Sequence, residues 1–208
     1  MTNDALTRPS VDRVSDVLKW ILLIVAVLCF ATLAWATVVT YREAPPIPEA
    51  IADPAGQTLM TADDIAAGKG GFQKADLMDY GSIYGMGSYF GEDYTASALV
   101  ALGTDTREAI AQSSYGKAFD ALAPEQQVVA TQAMRDQLQK IDLTTPTVAV
   151  SAGVAKAIAA AQARIVAALS TENLPAGWVP ARSLSPDLAK QTADFIIYSA
   201  LTTVARRP

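Results

Sequence analysis

The sequence predicts a mainly α protein: one N-terminal transmembrane helix followed by a helical domain. Three observations predict it. Trp20 to Val39 are uncharged and almost wholly apolar. Beyond residue 123, apolar residues recur at three- and four-residue spacing. Proline, glycine and Ser/Thr/Asp residues stand where such helices must begin and end.

The membrane helix is predicted over residues 20–40, behind a tail at 1–19. A helix rises about 1.5 Å per residue, so roughly twenty residues cross the ~30 Å hydrocarbon core. Thr32 and Thr37 carry the only hydroxyls between Trp20 and Val39, and a helix lets each bond a carbonyl one turn back. Trp20 and Tyr41 bracket the run as interfacial aromatics. Arg8, Arg13 and Lys19 precede it; Arg42 follows, beside Glu43. Positive charge stays in the cytoplasm, so the tail is expected inside and the domain outside. Asp4, Asp12 and Asp16 share the tail, but acidic residues weigh little in that rule. The competing reading is a cleaved signal peptide, with an apolar region of about 7–15 residues followed by a small-x-small site. Here the run is longer, and Ala34-Trp35-Ala36 lies inside it. A retained anchor is the expectation.

Residues 41–60 read as a proline-rich strap. Pro45, Pro46, Pro48 and Pro54 fix φ and donate no hydrogen bond, which favours extended chain. Asp53-Pro54-Ala55-Gly56 is a turn. The helical domain is expected over 61–208. Thr61, followed by Asp63 and Asp64, caps a helix running toward Lys74, with Gly68, Gly70 and Gly71 weakening its end. A loop of glycine and aromatics follows at Gly81–Gly91. A short helix is expected from Glu92 to Gly103, with Ala98, Leu99 and Leu102 inward. A second one, capped by Asp105 or Thr106, is expected to reach Tyr115.

Pro124, in a helix's first turn, opens the clearest amphipathic segment. Val128, Thr131, Met134, Arg135 and Leu138 share its stripe, which ends near Ile141. Thr147 to Val150 is β-prone. Ser151 caps an alanine-rich helix to about Leu169, with Ile158, Ile165 and Leu169 in one stripe and Val154 and Val166 nearby. Pro175, Gly177, Pro180 and Pro186 mark a second strap. Pro186 to Val204 is helical, and its apolar run Phe195–Leu201 is too short to cross a bilayer alone. It reads either as a core helix or as the first turns of a longer one.

Composition excludes much chemistry. The chain has no histidine, which removes Ser-His-Asp and Cys-His sites, imidazole metal ligands and the proximal ligand most haem proteins use. The single cysteine, Cys29, lies in the membrane run, so there is no Cys-x-x-Cys-His haem attachment and no disulfide. A pI near 4.7 and a net charge of -5 argue against nucleic acid. Adjacent Asp63 and Asp64 point about 100° apart on a helix, so first-turn electrostatics explains them better than a shared proton. Glu92 and Asp93 read as loop or first-turn acids. The glycine loop lacks the G-x-G-x-x-G spacing and the lysine of phosphate cradles. Met78 and Met86 are possible thioether ligands, but methionine more often fills irregular core gaps.

Thr40-Tyr41-Arg42-Glu43-Ala44-Pro45-Pro46-Ile47-Pro48, then Thr61-Ala62-Asp63-Asp64-Ile65, Gly68 and Phe72-Gln73, resemble the N-terminal region of quinol-dependent nitric oxide reductases. Gly81-Ser82-Ile83-Tyr84-Gly85-Met86-Gly87-Ser88-Tyr89 is similar to that family's Gly-Ser-Ile/Val-Trp-Gly-His-Gly-Ala-Tyr loop, with Tyr84 and Met86 where the family has tryptophan and histidine. Tyr115-Gly116-Lys117 and Leu122–Gln127 resemble its next helical segment. Phe195–Pro208 resembles its entry to a second membrane helix, with Arg206 where the family has asparagine. The resemblance implies a membrane helix plus a cytochrome-c-like periplasmic domain lacking haem, in a bacterial inner membrane. It implies no catalytic, cofactor-binding or metal residue in this chain. The b-type haems and non-haem iron are expected in a partner, a multi-helix catalytic membrane protein that reduces nitric oxide to nitrous oxide.

The expected role is therefore a non-catalytic, membrane-anchored subunit that caps and stabilises a separate catalytic subunit. The catalytic helices would begin just beyond Arg207-Pro208. Tyr84, Met86, Tyr89 and Phe90 in the loop, and Phe195, Ile197, Tyr198 and Leu201 in the last helix, are the candidate partner contacts. The alternatives are a stand-alone sensor or binding module, and an electron-carrying cytochrome, which the missing haem ligands disfavour.

Overall fold

The computed structural model describes residues 15–170 and 184–206. The expected second strap around Pro175, Gly177 and Pro180 falls outside the described residues. The chain divides into two units, at Ala44/Pro45.

The first unit is helix α1, Asp16–Arg42. It extends a few residues past the predicted span at its N-terminal side and about two at the other. None of its residues is buried. A bare 27-residue apolar helix, about 40 Å long, suits a bilayer rather than water. Thr32 and Thr37 donate to the carbonyls of Leu28 and Leu33 at 2.9 and 2.8 Å, and Thr40 does the same to Ala36. Each hydroxyl is thereby satisfied without leaving the helix.

The second unit starts with sheet rather than the expected plain strap. β1 (Ala50–Ala52) and β2 (Thr58–Thr61) pair antiparallel, and β5 (Thr147–Ala149) joins β1 in parallel. Ile51 sits opposite both Met60 and Val148, and all three are buried. Asp53 closes the turn by accepting from the Ala55 and Gln57 amides. The prolines occupy the segment before β1 and the turn after it. They do not enter a ladder, as their missing N–H requires.

Thr61 and Asp64 form a reciprocal capping box at the start of α2 (Ala62–Lys74). α2 crosses α7 (Pro186–Val204), and Gly68 and Gly71 make that crossing rather than ending the helix. A Cβ on Gly68 would stand 1.8 Å from the Gln191 carbonyl oxygen, and one on Gly71 would stand 2.1 Å from Thr192 Oγ1. Beside the crossing, Phe72 packs edge-on against Tyr94 and Phe195, with ring centroids at 5.4 and 5.6 Å.

After α2 come a single turn, α3 (Leu77–Tyr80), and a two-stranded hairpin of β3 (Ser82–Ile83) and β4 (Met86–Gly87). α4 runs unbroken from Tyr94 to Tyr115, capped by Asp93. This corrects the expectation of two helices capped separately. Asp105 and Thr106 lie mid-helix, and Gly103 is tolerated because it borders Met134 of the next helix. α5 (Pro124–Gln139) starts at the predicted proline, but its inward face is Ala130 and Leu138 with part-buried Met134. Val128 and Arg135 are exposed, which corrects the predicted stripe. Ala130 joins Ile110, Ala111 and Leu122 in a small satellite core, where a small residue permits close approach of α4 and α5.

α6 (Ala152–Ser170) is long and apolar enough to pass for a membrane span. Its Val154, Ala157 and Ile158 are fully buried in the domain core, so it is a core helix. α7 is buried on nearly every face, and it contacts α2, α4 and α6.

Candidate functional site

The glycine-aromatic loop and α7 hold the predicted contact residues. Tyr84 and Gly85, at φ 54° and 72°, form the two-residue connection between β3 and β4. Positive φ at both positions is the primed turn that matches strand twist. Glycine adopts it freely; Tyr84 needs outside support. That support is polar. The Tyr84 hydroxyl lies 2.8 Å from Thr202 Oγ1 on α7, and its amide donates to Thr95 Oγ1 at 3.1 Å. Thr95 in turn meets Ser199 Oγ at 3.0 Å.

Asp93 ties the hairpin to α4. Its carboxylate accepts from Ser82 Oγ at 2.7 Å, the Gly85 amide at 2.6 Å and the Ala96 amide at 2.8 Å. Burial pushes this carboxyl up, but the hydrogen bonds outweigh it and hold its pKa below the ordinary value. The sequence marked Asp93 only as a loop or first-turn acid. Its anchoring role depends on Ser82 and Gly85, eleven and eight positions back, and is invisible to helical periodicity.

The hairpin displays what it anchors. Tyr89 and Phe90 are 94% and 93% exposed, Met86 62% and Tyr84 44%. Four large, mostly apolar side chains are thus exposed on one short segment.

The α7 candidates lie elsewhere. Ile197 and Leu201 are fully buried, Tyr198 is nearly so, and Phe195 is half-buried against Phe72. The last helix is thus a core helix of this domain, and Ile197 and Leu201 are not surface groups. Tyr198 donates to the carbonyls of Pro45 and Pro46 at 3.3 and 3.1 Å, fastening the start of the domain to α7. Burial, and secondarily the nearby Tyr84, push its phenol up to about 12, so it stays a donor.

A second polar cluster went unseen in the sequence. Asp194 is fully buried on α7. It accepts from Gln162 of α6 at 2.5 Å and Lys190 at 2.9 Å, while Gln162 also donates to the Leu59 carbonyl. Burial pushes the Asp194 carboxyl up, against those two bonds and with help from Asp64. The group ties α6, α7 and β2 together.

A family model for the cytochrome c-like domain of the nitric oxide reductase NorB matches residues 48–208. The chain belongs to that family. Comparison with curated proteins gave no match.

A cytochrome c-like fold raises the question of haem. Covalent attachment needs paired cysteines and an axial ligand, usually histidine. This sequence has no histidine, and its one cysteine is Cys29, on α1. Beside the α2–α7 crossing the interior is filled by Phe72, Tyr94 and Phe195. Met86 is largely exposed on the hairpin, and Met78 is partly exposed beside it. No cluster of three or more metal-ligating His, Cys, Asp or Glu exists among the described residues. These residues do not fit a haem in the domain.

Proposed function

We propose that this chain is a membrane-anchored, non-catalytic subunit of a nitric oxide reductase-like complex. Its domain lies on the periplasmic face of a bacterial inner membrane and caps and stabilises the catalytic membrane subunit. The observation that carries this reading is exposure beside the hairpin: Tyr89 and Phe90 stand out in the segment just after β4, while the hairpin turn itself is held to α4 and α7. An exposed aromatic pair on a rigid support suits a standing protein contact.

The chemistry assigned to the complex joins two nitric oxide molecules with two electrons and two protons, giving nitrous oxide and water. Quinol is the proposed electron source. The b-type haems and non-haem iron that such chemistry uses need ligands that these 208 residues do not supply, since none of them is histidine. The domain's part is therefore to hold shape. The α2–α7 crossing fixes the core, Asp93 fixes the hairpin, and α1 confines the domain to the bilayer. Sharing one membrane raises the effective concentration of cap and partner.

The reading is tested by isolating the tagged chain from its native membranes in mild detergent. A multi-helix partner carrying b-type haem should co-purify, and Tyr89→Ser with Phe90→Ser should release it without unfolding the domain. Recovery of a folded chain with no haem-bearing partner would favour a stand-alone binding module instead.

A further inference from the structure

The exposed aromatics have an acidic neighbour. The Ser88 amide donates to the Met78 carbonyl at 3.1 Å and to the Gly81 carbonyl at 3.0 Å. Residues 78 and 88 therefore lie side by side. Asp79 follows the first and Tyr89 the second, and both are exposed. Asp79 thus borders the segment that carries Tyr89 and Phe90.

Charge around this face is one-sided. Between Lys74 and Arg107 the sequence carries Asp76, Asp79, Glu92, Asp93 and Asp105 and no basic residue. Asp93 is engaged by the hairpin, and Glu92 accepts from the Ser97 hydroxyl. Asp79 differs: its carboxylate has no ion-pair partner among the described residues. A neutral apolar surface closing over Tyr89 and Phe90 would strip water from Asp79 and give nothing back. An anionic lipid surface would meet a like charge there, on a chain whose net charge is already -5. A guanidinium answers both features, because its plane stacks on an aromatic ring while its N–H fork pairs with a carboxylate.

We infer that this face docks a basic protein segment, with an arginine that stacks on Tyr89 or Phe90 and pairs with Asp79. The inference rests on the subunit reading for the partner's being a protein of the same membrane. It takes the partner's chemistry from the face itself. Opposite charge also steers that segment toward the face before contact.

The test uses the full chain in nanodiscs of zwitterionic lipid, with ¹³C-labelled methionine methyl groups. It is titrated with the peptide acetyl-Gly-Arg-Gly-Arg-Gly-amide. Met86 is exposed on the hairpin, so its methyl resonance should shift and saturate, while that of buried Met60 stays in place. The matching citrulline peptide keeps the shape and loses the charge; it should bind at least about fivefold more weakly, the sum of one stacked cation and one surface ion pair. Asp79→Asn should weaken the arginine peptide about threefold, the loss expected for an exposed ion pair. Tyr89→Ser with Phe90→Ser should weaken it through the lost stacking, with the Met60 resonance reporting an intact core. The inference is overturned if the two peptides bind alike, if neither moves Met86, or if Asp79→Asn binds like the parent. A haem-bearing partner that co-purifies while the arginine peptide fails to bind removes this inference and keeps the subunit reading. Peptide binding with no such partner does the reverse.

Discussion

The hydroxyl of Tyr84 meets that of Thr202 at 2.8 Å, across 118 residues of sequence. One bond thus joins the tip of the aromatic hairpin to the helix at the centre of the core. Thr202 is itself bonded to the Ser199 carbonyl, so its hydroxyl is already oriented. Replacing Tyr84 by Phe keeps the ring and removes that link. The expected cost is about 1 kcal/mol, or a fall in Tm of roughly 2–4 °C for a domain of this size. Circular dichroism melts of both forms check it.

Asp93 carries more of the hairpin than any other side chain described. Asp93→Ala removes the α4 cap and the acceptor for Ser82 and Gly85 together. A loss of about 2 kcal/mol is expected, at the upper end for an N-cap. Amide hydrogen exchange should quicken across residues 82–91 before the rest of the domain responds.

The glycines of α2 should divide sharply by position. Gly68→Ala places a methyl group against a backbone carbonyl of α7, and relief requires separating the helices. It should destabilise by at least about 3 kcal/mol. Gly70 has nothing within 4 Å of an added Cβ, so Gly70→Ala should stabilise by about 0.5–1 kcal/mol. Urea denaturation of the two variants should move in opposite directions.

Three hydrogen-bonded carboxylates set opposing pH trends. Asp194 has a folded pKa raised above its ordinary 3.8. The folded state therefore keeps that proton more readily than the unfolded chain. Its contribution to stability is full below 3.8 and falls as pH rises through the raised value. Asp194→Asn should accordingly gain on the parent as pH climbs through that window. Asp64 and Asp93 have lowered pKa values. Their contribution is present above 3.8 and is lost as pH falls through their folded values. Urea midpoints measured across pH for the parent and Asp194→Asn would show both trends.

Much of this fold was legible because its signals are local. Pro124 and Pro186 announced the starts of α5 and α7, since proline suits a helix's first turn and little else in it. Thr61 and Asp64 announced α2. The errors came where tertiary packing decides. Asp105 and Thr106 look like caps, yet α4 runs through them because Thr106 is buried and Gly103 faces a neighbouring helix. Val128 follows the α5 stripe but points outward, since α5 buries a narrow alanine-lined face.

The exposure of the candidate contact residues was legible for the loop and not for α7. Tyr84, Met86, Tyr89 and Phe90 are exposed where the loop composition suggested a surface. Ile197 and Leu201 are not, because the apolar run on α7 serves the domain core. Tyr84-Gly85 hid the hairpin, as a tyrosine at positive φ is rare without the distant hydroxyls that hold it. Asp194 hid for the same reason: its partner Gln162 lies on another helix, and Gln162 is itself shared with the Leu59 carbonyl on β2.

The central claim is that the redox centres of the complex lie outside this chain. The visible absorption spectrum of the chain expressed and purified alone, with haem available to the cells, tests it most directly. A colourless, folded protein that consumes no nitric oxide is the predicted result. A Soret band at one haem per chain, or nitric oxide turnover by the chain alone, would contradict it.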